Sequence, residues 1–130
     1  MNKEEYEKIS SYYGLLVVWL EMRQKGKTIV PYMIEKNYKR IAIYGMKELG
    51  HRLVDELYGS EIVVKYVIDK SPVLGEFNVI KPEEEFDEVD AIVVTADYYY
   101  DEIKDELSKK CSYPIISLRG LLGNAFGRNF

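Results

Sequence analysis

The chain has very little of several residue types that usually betray a chemistry. It has one cysteine, Cys111, so neither an internal disulfide nor a cysteine-based zinc site can form. It has one histidine, His51, which leaves too few imidazoles for a histidine-rich metal centre. Basic residues do not dominate. Lys and Arg number 18 against 22 Asp and Glu, the net charge is −4, and no basic stripe runs along the chain, which argues against nucleic acid as a partner. Long apolar runs are also missing. Leu15–Leu20 is far too short to span a bilayer, and the Glu- and Lys-rich stretch Met1–Ser10 is not the basic leader of a signal peptide. The expectation is a cytoplasmic protein without membrane insertion.

What is present suits one small globular domain. The 130 residues are 47% hydrophobic and 31% charged, enough for a core and a solvated surface. Glu83–Glu85 is the longest acidic run and has no His or Cys beside it, so it reads as a solvated face or a helix start. Cys111 reads as a structural thiol near a helix end.

Two helices are expected before residue 38. From Lys3 to Lys25, residues Ile9, Tyr12, Tyr13, Leu16, Trp19, Leu20 and Arg23 recur at spacings of three and four. Gly14 weakens that helix or admits a neighbouring backbone, and Gly26 stops it. Thr28 offers an N-cap and Pro31 lies in the first turn of a short helix to about Lys36, closed by Asn37. Residues 1–37 thus form an N-terminal appendage. Its apolar stripe packs on the rest of the fold or serves as a dimer or partner interface.

Residues 38–130 alternate strand and helix. Strands are expected at Ile41–Tyr44, Ile62–Ile68, Ala91–Thr95 and Pro114–Leu118, with a short edge strand at Phe77–Ile80. Leu49, Leu53 and Leu57 mark the buried stripe of a helix after the first strand, and Asp97 caps another running to about Lys110 with Ile103 and Leu107 inward. Leu121–Phe130 is a tail with one helical turn. Apolar strands alternating with helices imply a parallel sheet covered on both faces. Right-handed crossovers give an α/β half-Rossmann sheet with strand order 3-2-1-4 and room for an extra edge strand.

The first strand runs into Gly45-Met46-Lys47-Glu48-Leu49-Gly50. A dinucleotide fingerprint, G-x-G-x-x-G, uses its first glycine for the tight turn, its second for close approach of pyrophosphate, and its third for helix–strand packing. Gly45 and Gly50 occupy the first and third places. Lys47 occupies the second, where its ammonium obstructs a dinucleotide or adds a charge contact. The helix that follows offers free N–H groups and a positive dipole end. Asp69 ends the second strand 24 positions after Gly45 (69 − 45), close to the spacing of a carboxylate that bonds ribose hydroxyls. Around this turn the candidate binding residues are Gly45, Lys47, Glu48, Gly50, Asp69, Thr95 and Tyr98. Thr95 offers a hydroxyl at a strand end. Tyr98, from the run Tyr98-Tyr99-Tyr100, offers an aromatic face.

The segments "IAIYGMKELG" (Ile41–Gly50), "VIDK" (Val67–Lys70) and "AIVVT" (Ala91–Thr95) resemble the small nucleotide-binding Rossmann domains of bacterial surface-glycan pathways. They are similar to the N-terminal domain of sialic-acid and bacillosamine-type sugar acetyltransferases, which holds a nucleotide-sugar. They also look like short stand-alone proteins found with capsule and glycosyltransferase functions, where the turn often reads G-M-G-E-L-G. The resemblance covers roughly residues 38–120. It implies a nucleotide-sugar or NAD(P)-type ligand. The left-handed β-helix that carries acetyl transfer is missing from the sequence, so what it implies is binding or regulation.

Other chemistries have weaker signals. His51 lies in the first turn of the glycine helix, whose positive end disfavours the protonated imidazole; it contacts ligand, acts as a base, or simply packs. Tyr100 and Lys104 have the Tyr-x-x-x-Lys spacing of short-chain dehydrogenases, but so do Tyr32/Lys36 and Tyr66/Lys70, and chance explains such pairs in a chain with 12 tyrosines. Arg119 offers a cation to an anion at the last strand. Two alternatives to a non-catalytic nucleotide- or nucleotide-sugar-binding module therefore stand: a small NAD(P)-dependent oxidoreductase or epimerase-like enzyme, and a ligand-free interaction or dimerisation protein.

Overall fold

A computed structural model describes all residues, 1–130. The order of elements is α1 (Lys3–Gln24), α2 (Val30–Glu35), β1 (Arg40–Tyr44), α3 (Glu48–Leu57), β2 (Val63–Ile68), β3 (Val79–Ile80) and β4 (Ala91–Val94). One 3-10 turn (Asp97–Tyr99), α4 (Tyr100–Ser108), β5 (Ile115–Ser117) and α5 (Leu118–Phe126) complete it. No helix is long and apolar enough to cross a membrane.

The five strands form one parallel sheet in the order β3-β2-β1-β4-β5. This is the expected Rossmann-like α/β arrangement, with the extra edge strand in place. β1 is central: Ile43 pairs with Val67 of β2 on one side and Val93 of β4 on the other. Side chains alternate across the pleat, so both faces must be covered. One face carries Ile41, Ile43, Val67, Ala91 and Val93 and packs with residues of α1, α2, α3 and α5 in the larger core. The other carries Ala42, Tyr66, Ile68, Ile92 and Val94, and Leu107 of α4 with Val89 covers it.

The N-terminal helices belong to this body. Leu15, Trp19 and Met22 of α1, Ile29, and Met33 of α2 are buried in the larger core. The join is polar as well as apolar. The Glu56 side chain, 3% exposed, accepts hydrogen bonds from the Trp19 indole, the Ile29 N–H and the Thr28 hydroxyl, and Arg23 lies 3.6 Å from it. A nearby carboxylate is thus satisfied by three donors and a cation, the condition for burying it. Gly14 has open space where a side chain would stand, so it marks no close backbone approach.

Four local expectations need correction. Thr28 is not the α2 cap: Ile29 holds that position, and the Thr28 hydroxyl accepts from Val30 N–H while also reaching Glu56. Asp97 does not cap α4: a 3-10 turn intervenes, and both carboxylate oxygens accept from Arg119. The tail is a nine-residue helix rather than one turn. Ser117 caps it by accepting from Gly120 N–H at 2.9 Å, and Gly127 closes it in the left-handed conformation. Leu118, expected to finish the last strand, begins that helix and is fully buried.

Candidate functional site

In open α/β sheets a crevice forms beyond the carboxyl ends of the strands where the strand order reverses. Here that point lies between β1 and β4, and it holds a cleft of about 640 Å³. The floor comes from Tyr44 and Gly45 after β1, Ile68 and Asp69 after β2, and Thr95 and Ala96 after β4. Lys47, Glu48, Leu49 and Gly50 at the start of α3 form one side, Tyr99, Glu102 and Ile103 another, and Lys8, Ile9 and Tyr12 of α1 the rim. Lys8, Lys47 and Lys70 face Glu48, Asp69 and Glu102, so the walls carry both signs of charge.

The glycine turn is built for close contacts. Gly45 has φ 93°, the left-handed region that side chains rarely adopt, and an added Cβ would stand 3.0 Å from the Thr95 hydroxyl. At Gly50 an added Cβ would stand 2.5 Å from the Gly45 carbonyl oxygen. The third glycine therefore lets α3 sit directly on the turn. Thr95 is buried, and its hydroxyl donates to the carbonyls of Tyr44 and Gly45. It holds the turn against β4, a positioning task, at the floor of the cleft.

Asp69 has a partner that spacing did not reveal. One carboxylate oxygen accepts the Met46 N–H at 2.9 Å, and the other accepts the Ser71 N–H at 2.9 Å. The carboxylate thus clamps the glycine turn to the end of β2. Beyond Met46, the N–H groups of Glu48, Leu49 and Gly50 have no acceptor in the protein, as the first turn of a helix requires. Lys47 and Glu48 are both exposed.

The cleft brings together Gly45, Lys47, Glu48, Gly50, Asp69 and Thr95. It does not include Tyr98. That residue turns to α1, its hydroxyl donating to Glu7 at 2.9 Å and its N–H to the Tyr12 hydroxyl at 3.2 Å. The hydrogen bond to Glu7 raises the Tyr98 phenol above its ordinary pKa. Tyr99 takes its place along the cleft, with the Lys8 ammonium 5.5 Å from its ring centre. Two further tyrosines were not singled out as site residues, Tyr12 and Tyr44. Burial raises the pKa of both, and the Asp69 carboxylate adds to the shift at Tyr44. The tyrosine run signalled an aromatic wall; nothing in the local pattern showed which member faces inward.

The other polar candidates are engaged elsewhere. His51 contacts the Lys47 carbonyl through Nδ1 at 2.9 Å and the Leu74 carbonyl through Nε2 at 3.1 Å. Two carbonyl acceptors favour the doubly protonated ring, so its pKa is raised. The direction is opposite to that expected from the helix end alone, and the Lys47 and Leu74 carbonyls are its main cause. The Tyr100 hydroxyl donates to the Ile115 carbonyl at 2.7 Å. A larger cavity, about 800 Å³, opens beside Arg119. The Arg119 guanidinium makes four hydrogen bonds there, to Asp97, Phe130 and twice to Ser11, so it holds the fold together.

Comparison with known proteins finds no matching family model, no matching curated protein and no matching solved structure. The cleft geometry and the sequence resemblance therefore carry the functional reading.

Proposed function

We propose that this chain is a non-catalytic module that binds a nucleotide or nucleotide-sugar in the cleft beside the glycine turn, in the service of bacterial surface-polysaccharide assembly. The observation that carries it is the cleft itself: one space is lined by Lys47, by Glu48, Leu49 and Gly50 with their unpartnered N–H groups, and by Tyr99. A phosphate suits the helix start and Lys47. A base or sugar suits Tyr99, Tyr12 and Tyr44. Asp69, already accepting two N–H groups, retains lone pairs for a ribose hydroxyl. The pathway assignment rests on the resemblance of the glycine turn to glycan-pathway domains.

Binding is favoured over catalysis by the hydrogen bonds of the two acid–base candidates. The Tyr100 hydroxyl donates to a main-chain carbonyl; both His51 nitrogens lie against main-chain carbonyls, and His51 does not line the cleft. A small NAD(P)-dependent enzyme would need one of them released toward the cleft.

The test is thermal stability with UDP-sugars, NAD(H) and NADP(H) at millimolar concentration. A ligand that binds only the folded chain raises Tm by mass action. Lys47→Ala and Tyr99→Ala should each weaken that ligand by about tenfold, the loss of one charge or stacking contact. No shift with any nucleotide would sink the proposal. If NADH shifts Tm and Asp69→Ala binds it equally well, the ribose assignment fails.

A further inference from the structure

The apolar residues of α1 lie on two separate faces. Leu15, Trp19 and Met22 face the core. Tyr6, Ile9, Tyr13, Val17 and Leu20 point away from it, each between 47% (Val17) and 71% (Tyr13) exposed. They make up half of the ten large hydrophobic side chains exposed on the whole surface, gathered on one face of one helix. Scattered apolar residues need no explanation; a contiguous stripe does. No charged residue interrupts it from Tyr6 to Leu20, about 21 Å of helix. With half-buried Leu16 it runs Tyr6, Ile9, Tyr13, Leu16, Leu20, the alternating three–four spacing of a two-helix seam.

We infer that this stripe pairs with α1 of a second copy, antiparallel, about a two-fold axis at Tyr13. The register follows from the residues. Tyr13 meets the partner's Tyr13, Ile9 meets the partner's Val17, and Tyr6 meets the partner's Leu20. The flanking charges agree with it. Antiparallel packing brings the partner's Arg23 beside Glu5 on one flank and the partner's Glu21 beside Lys3 on the other, and symmetry repeats both pairs. Because Arg23 also lies 3.6 Å from Glu56 and Glu21 also pairs with Lys25 and Arg128 within their own chain, these cross-chain pairs orient the contact and add little affinity. A closed two-fold contact of this kind requires one surface to complement itself. The five exposed side chains offer on the order of 600 Å² per copy, so two copies reach about 1,200 Å², the lower end of specific interfaces. Ile9 belongs both to the stripe and to the cleft rim, so the second copy stands next to the cleft mouth.

The mass of the full chain in solution, by sedimentation equilibrium from about 5 to 200 µM, tests this. The mass should climb from 15.2 kDa toward twice that value. Tyr13→Glu places two carboxylates against each other on the axis and should weaken the dimer about 100-fold, with an unchanged circular-dichroism spectrum because Tyr13 is exposed. Orientation is read by cross-linking in a Cys111→Ser background. Chains carrying Tyr6→Cys should form disulfides with chains carrying Leu20→Cys, and not among themselves. A monomer at 200 µM, or a dimer indifferent to Tyr13→Glu, overturns the inference. Disulfides among Tyr6→Cys chains overturn the antiparallel register. Ligand binding in the cleft plays no part in these readouts, so their failure is separate from failure of the nucleotide reading.

Discussion

Removing the Glu56 carboxylate should release the N-terminal helix. In Glu56→Ala the Trp19 indole N–H and the Ile29 N–H lose their acceptor inside the fold, and Arg23 loses its counter-charge. Each orphaned buried donor costs about 1–3 kcal/mol. Arg23 is 43% exposed, so water takes over its solvation and its loss adds little. The expected destabilisation is about 3–5 kcal/mol, a large share of the roughly 5–15 kcal/mol that holds a domain of this kind together. At about 3–5 °C per kcal/mol for this chain length, Tm should fall by roughly 10–20 °C. Trp19 is the only tryptophan, so its fluorescence reports α1 docking directly during urea unfolding. Emission should shift red before the far-ultraviolet circular-dichroism transition if α1 leaves first. A loss below about 1 kcal/mol, with coincident transitions, would refute the idea that this carboxylate secures the helix.

Gly50→Ala should cost about 2–4 kcal/mol, because its methyl group meets the Gly45 carbonyl rather than a movable side-chain end, and chemical denaturation would show it. Thr95→Val should cost about 1–2 kcal/mol through the lost hydroxyl bonds to the turn carbonyls; stability within error of the wild type would count against Thr95 as the pin between β4 and the turn. His51 carries a pH dependence. Its folded pKa lies above 6.5, so its contact with the Leu74 carbonyl is fully strengthened below about pH 6.5 and weakens as pH rises through the folded value. Amide exchange of residues 72–77 should be slower at pH 6 than at pH 8 after correction for intrinsic rates, and imidazole NMR should give a pKa above 6.5. Tyr66 is the last case: burial pushes its phenol up to about 12, and its hydroxyl donates to the Asp87 carbonyl. Comparing the absorbance titrations of the wild type and Tyr66→Phe should show the missing phenol ionising near pH 12.

The sheet is legible because Ile41–Ile43, Tyr66–Ile68 and Ala91–Val94 are short apolar runs, and a run buried on both faces advertises itself without needing alternation. Gly45 and Gly50 were legible for a similar reason: each does a backbone job that other residues perform badly. Asp69 was found by spacing, but its bond to Met46 N–H was not, since the pattern says where a carboxylate falls and nothing of which donor it meets first. α5 is expected only as one turn within Leu121–Phe130, whereas Ser117 and Gly127 cap a nine-residue helix at its two ends. The α1 stripe was read as one surface. Trp19 and Tyr13 are six residues apart, about 120° around the helix, so one is buried and the other exposed, a separation that short spacings of three and four blur when apolar residues surround most of the helix.

The Arg119 junction bears on how the chain is made. It joins Ser11 of α1 to Asp97 and to Phe130, while Arg128 reaches Glu21 on the same helix. Residues near the start of the sequence are thus fixed by residues synthesised more than a hundred positions later. A ribosome adding about 5–20 residues per second leaves several seconds between them. During that interval α1 can form as a helix, but part of its docking site does not yet exist. Both of its apolar faces then meet solvent or a chaperone. Slow synthesis, or truncation before residue 118, should therefore favour aggregation through α1, whereas the finished chain hides one of those faces for good.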